Sequence, residues 1–77
     1  MKWTVYGLFF TPDLKDDQFK GCFTTVKKAR NFASYCRGTK PGDDNWKDSD
    51  FLDVVSFIRI PHGVWQIRKL VIDKEEY

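Results

Sequence analysis

The stretch from Phe23 to Gly38, FTTVKKARNFASYCRG, limits what this chain can fold into more than any other, because it is the one segment with helical apolar spacing. Val26, Ala29, Phe32, Ala33 and Cys36 fall on one face of a 3.6-residue repeat. Thr24 or Thr25 is placed to accept from the first free backbone N–H groups, and Gly38 to take the left-handed turn that stops the helix. The flanking segments are rich in aromatic and β-branched residues and read as strands. A helix with strands on both sides predicts a sheet with one face buried under it.

Before the helix, Lys2 to Phe10 alternates as a strand, with Trp3, Val5, Gly7 and Phe9 on one side and Thr4, Tyr6, Leu8 and Phe10 on the other. Both sides are largely apolar, which suits a central strand or one whose second face is covered from outside. Gly7 is expected beneath a bulky neighbour or at a bulge. Thr11 to Asp17 is a polar connector suited to a wide hairpin loop, and residues 18–23 form a second strand with Phe19, Gly21 and Phe23 on one parity. After the helix, residues 39–50, TKPGDDNWKDSD, read as one long acidic loop with Trp46 alone in its middle. Residues 51–60 favour a strand over a helix because of their β-branched content. Pro61-His62-Gly63 closes a hairpin onto a last strand at 64–72, and residues 73–77 read as a solvated tail. The expected fold is a single α+β domain over residues 1–77, a small four-stranded, mostly antiparallel sheet with one helix in the order ββαββ.

One helix covers one face of such a sheet. The other face is expected to expose a set such as Tyr6, Leu8 and Phe10, or Phe51, Val55 and Phe57. A contiguous apolar patch of that kind marks a partner surface or a dimer contact. At 77 residues the core is thin, and 13 aromatic side chains have to supply much of it.

The sequence offers little for catalysis. His62 is the one histidine and falls in a turn, with no Ser or Cys spaced as its partner. Neither a G-x-x-x-x-G-K-[ST] nor a G-x-G-x-x-G phosphate loop occurs. The acidic residues Asp43, Asp44, Asn45, Asp48 and Asp50 invite a calcium reading, yet no register supplies the sixth-position Gly or the twelfth-position Glu. Cys22 and Cys36 lack metal or redox spacing and are expected as two small buried hydrophobes, a disulfide being possible if helix and sheet pack together. No cofactor and no metal is expected. No apolar run is long enough to span a bilayer and the first residues read as a strand rather than a signal peptide, so a cytoplasmic location is expected.

Charge is segregated. Residues 1–40 carry eight Lys or Arg against three Asp, for +5, and residues 41–77 carry five against eight acidic groups, for −3. Lys27, Arg30 and Arg37 fall on one helical stripe, flanked by Lys28, with Lys20 and Lys40 nearby. Two functional readings follow. The first is a non-enzymatic protein-binding module, a regulator or inhibitor of another protein, with Tyr6, Trp46 and Phe57 as anchors and Arg59 and Arg68 at the rim. Size and composition suit the kind of small product a phage makes to block a host protein. The alternative is a single-stranded nucleic-acid or RNA binder using Lys20, Lys27, Lys28, Arg30, Arg37 and Lys40 together with an aromatic sheet face. A homodimer through the open face fits either reading.

Overall fold

The computed structural model describes residues 2–13, 15–40, 42, 45–51 and 53–73, with Lys2 and Asp73 described by their backbone alone. The order of elements is β1 (Lys2–Pro12), β2 (Gln18–Phe23), α1 (Val26–Arg37), β3 (Lys47–Asp48), β4 (Val54–Ile60) and β5 (Gly63–Asp73). All strand pairs are antiparallel, and the spatial order is β2-β1-β5-β4-β3. The sheet therefore has five strands, which corrects the four-stranded ββαββ expectation to ββαβββ. The additional strand lies inside the expected 39–50 loop. Its two polar residues, Lys47 and Asp48, pair with Phe57 and Ser56 and are too few to show an alternation in sequence.

α1 forms where its spacing predicts. The Thr25 side chain accepts from the Lys28 N–H at 3.1 Å. Gly38 ends the helix at φ 74°, its N–H reaching the Tyr35 carbonyl at 3.2 Å while the Thr39 N–H reaches the Ser34 carbonyl at 2.9 Å. These two bonds satisfy carbonyls that would otherwise end the helix unpaired. The buried stripe is rotated from the expected one. Ala29, Ala33 and Ser34 are sealed, Val26 packs on the core, and Phe32, Tyr35 and Cys36 are exposed. Small residues at 29, 33 and 34 let the backbone of α1 approach the sheet, whereas Phe32 packs sideways on Phe23 with ring centroids 5.3 Å apart.

The core beneath α1 consists of Leu8, Ile58, Trp65 and Ile67 with Ala29 and Ala33. The register explains this set, because Leu8 stands opposite Ile67 and Trp65 opposite Ile58 on one face of the sheet. Leu8 is thus fully buried rather than on the open face, and Tyr6, Phe10 and Val55 pack against the same core. Of the two expected exposed sets, Phe57 alone faces away from the helix within the sheet, and Phe51 is exposed before β4 begins.

Two bulges decide which apolar residues share a face. In the β1–β2 pair, Leu8 stands opposite Gly21 but Phe9 opposite Phe19, so Lys20 is the extra residue. The bulge turns Phe19 away from the Gly21–Phe23 parity and onto the face opposite the helix. In the β4–β5 pair, Val54 stands opposite Arg68 and Ser56 opposite Ile67, which leaves Val55 as the extra residue. Cys22, opposite Gly7, lies on the face away from α1, and both thiols are free and exposed. The expected burial of the two cysteines is corrected accordingly, and the sheet lies between them, which excludes a disulfide.

Candidate functional site

The face of the sheet opposite α1 has no element packed on it among the described residues. β1 places Trp3, Val5 and Phe9 there, β5 places Val64, Leu70 and Ile72, β4 places Phe57, and the bulged β2 places Phe19. Trp3, Phe19 and Ile72 are 54%, 58% and 51% exposed, against 0% for Leu8 and Ile67 on the helix side. The polar residues among them are Thr11 on β1, Gln66 and Arg68 on β5, Arg59 on β4 and Lys47 on β3.

The centre of this face is ordered by Arg68. Its guanidinium lies over the Phe9 ring at 4.6 Å from the centroid. Nη2 donates to Asp17 at 2.8 Å and to Gln66 Oε1 at 2.9 Å, and Nε donates to Gln66 Oε1 at 3.2 Å. The Thr11 hydroxyl donates to the other oxygen of Asp17. These two donors, Thr11 first and Arg68 second, hold the Asp17 carboxyl below its ordinary value. Gly7 makes room for the arrangement, since a Cβ there would lie 2.9 Å from the Phe9 ring and 3.0 Å from Leu70. Phe19 completes it with its ring 5.3 Å from that of Phe9. The result is a pre-organised apolar surface with one cation at its middle already paired.

Of the residues singled out for protein binding, Phe57, Arg59 and Arg68 come together on this face. Tyr6 lies on the helix side, half-buried against the core. Trp46 also lies on the helix side, packed against the core, with the Arg30 guanidinium 5.9 Å from its ring centroid. Trp3, Phe9, Phe19 and Ile72 are the members that sequence reasoning left out. The odd parity of β1 already carried the signal for Trp3 and Phe9, but the bulge hid Phe19.

The basic residues do not form one surface. Lys27 and Lys28 are exposed on α1, Lys40 is exposed beyond it, and Lys20 is exposed in the bulge at the β2 edge. Arg30 turns under the helix, where Nη2 donates to Ser56 Oγ at 2.8 Å and to Asp48 at 3.3 Å. Arg37 is half-buried. Because α1 covers the other side of the sheet, its outward lysines and the aromatic face point in opposite directions.

His62 is exposed in the β4–β5 turn. Among the described residues no three His, Cys, Asp or Glu side chains gather as a metal site, and no helix is long and apolar enough to cross a membrane. Asp43 and Asp44, central to the calcium reading, lie outside the described residues. No protein-family model, curated protein or solved structure matches this chain.

Proposed function

We propose that the protein is a non-enzymatic binding module that docks another protein on the open face of its sheet and thereby regulates or inhibits that partner. The observation that carries this reading is the concentration of Trp3, Phe9, Phe19, Phe57 and Ile72 on a face that nothing described covers. Aromatic residues with an arginine among them are the usual anchors of protein interfaces. The Arg68 network supports the same reading, because side chains fixed before binding lose less entropy when a partner arrives. Arg59 and Lys47 favour a partner with an apolar centre and an acidic rim. The nucleic-acid reading loses support, since a strand held by the α1 lysines would not reach the aromatic face.

The test compares proteins captured from a cell lysate by the wild type, by Trp3→Glu/Phe19→Glu and by Lys27→Glu/Lys28→Glu. A partner kept by the wild type and the lysine variant but lost by the face variant supports the proposal. Retention by the face variant overturns the site. Salt-sensitive binding of single-stranded RNA or DNA that only the lysine variant loses would replace it with the alternative.

A further inference from the structure

β5 extends past the strand beside it. β4 pairs with it only as far as Val54↔Arg68, and the last bond on that side is the Lys69 N–H donating to the Asp53 carbonyl at 2.7 Å. From there on, residues 70–73 pair with β1 alone, and β1 has no second neighbour at that end, since β2 reaches only Tyr6. A two-stranded ribbon is marginal in water, and a third strand is what stabilises it.

Backbone direction alternates along a strand. The Lys69 N–H points to the β4 side, so the N–H and C=O groups of Val71 and Asp73 point there too, while those of Leu70 and Ile72 serve the pairing with β1. Among the described residues nothing pairs with these two N–H and two C=O groups. The partner that matches their spacing is another extended backbone. The remaining edges are blunted: β2 by its bulge at the exposed Lys20, β3 by its length of two charged residues, and the β1 side of the ribbon by its polar sequence, Lys2-Trp3-Thr4. Leu70, Val71 and Ile72 carry no charge, and Val71 and Ile72 are exposed on opposite faces.

We propose that the β5 edge at 70–73 is a strand-addition site. An extended, β-branched segment of the protein that docks on the open face pairs its backbone with Val71 and Asp73 and continues the line of β4. Its side chains then lie beside Val71 on the helix side and beside Leu70 and Ile72 on the open face. This inference rests on the docking reading and names the form in which the partner arrives.

The experiment titrates the ¹⁵N-labelled protein with the end-blocked peptide Lys-Thr-Val-Thr-Val-Thr-Lys. A control peptide carries Pro in place of each Val and so lacks those donors. Saturable shifts of the Val71 and Asp73 amide peaks are expected with the first peptide, with exchange of the Val71 N–H slowed about tenfold at saturation. The control should leave both peaks in place. Val71→Pro removes an edge donor and no bond to β1, a change that strand edges tolerate. Followed at the Asp73 amide, it should weaken the peptide about tenfold while the Leu8 and Ile67 amides stay in place. The control peptide tests the same point without altering the fold. No saturable shift at about 5 mM peptide, equal shifts with the control, or undiminished binding by Val71→Pro overturns the proposal. A Val71 peak that moves with protein concentration alone also overturns it, assigning the edge to a second copy of this chain. The docking face stands or falls separately. A partner captured by the wild type and by Val71→Pro but lost by Trp3→Glu/Phe19→Glu keeps the face and removes the edge.

Discussion

Gly63 is the residue at which the β4–β5 hairpin meets β1. It pairs with Ile60 on one side and Pro12 on the other, at φ 154°. A Cβ there would overlap the Thr11 carbonyl oxygen and lie 3.0 Å from Pro12 Cα, both backbone atoms that cannot swing aside. Gly63→Ala should therefore destabilise the fold by about 2–3 kcal/mol, combining an unfavourable φ with a backbone shift. An unchanged urea midpoint would contradict this. Asp17 gives a prediction in pH. Its carboxyl is held below the ordinary 3.8 by the Thr11 hydroxyl and then by Arg68, so the folded state favours the charged form. The stabilisation is complete above that ordinary value and is lost as pH falls through the lower folded one. The difference in melting temperature between wild type and Asp17→Asn should be constant from about pH 7 to pH 5 and shrink below 3.8. A difference independent of pH would remove Asp17 from the network around Phe9.

Among the elements, β3 depends most on a single side chain. Ser56 is fully buried, donates its hydroxyl to the Lys47 carbonyl at 3.1 Å and accepts from Arg30 at 2.8 Å. It thus joins β4, the two-residue β3 and α1 through one oxygen. Ser56→Ala should loosen the β3 edge before it loosens the sheet. The Ser49 N–H, bonded to the Val55 carbonyl at 3.1 Å, should exchange with solvent about 5–10-fold faster, equivalent to roughly 1 kcal/mol of a lost hydrogen bond. Equal exchange rates would show that backbone pairing alone holds β3. β1 and β5 behave differently at their far ends. β2 pairs with β1 only from Tyr6 onward, and β4 pairs with β5 only up to Arg68. Residues 2–5 and 70–73 thus form a two-stranded ribbon beyond the rest of the sheet, with Trp3 and Ile72 on one side and the exposed Val71 on the other. Such a ribbon gains stability when a partner packs on it.

For the whole molecule, the strand order sets both shape and folding. The eleven-residue strands β1 and β5 are the longest in the sheet, each about 35 Å from end to end. They also form the longest pairing, Lys2↔Asp73 through Pro12↔Gly63, with β2, α1, β3 and β4 all lying between them in sequence. That pairing carries a large loop-closure entropy before any of its contacts form. Folding followed by stopped-flow tryptophan fluorescence should take roughly milliseconds to seconds, and microsecond folding would show that the hairpins and helix assemble without waiting for β1 and β5.

Local patterns in the sequence determined what depends on neighbours in the chain. The Val26–Ala33 spacing, the Thr25 cap and the Gly38 stop place α1, and the alternation of β1 and β5 places the central strands. Tertiary structure decided what depends on distant partners. β3 has no pattern of its own and exists because β4 offers Ser56 and Phe57 as an edge. α1 rotates so that Ala29, Ala33 and Ser34 seat on the sheet, since small side chains permit the closest approach; this draws Arg30 inward and breaks the basic stripe. The bulges at Lys20 and Val55 shift parity by one residue, which a period-2 reading cannot foresee. Because side chains alternate strictly along a strand, one extra residue moved Phe19 to the open face, and the candidate site took its final composition from that step.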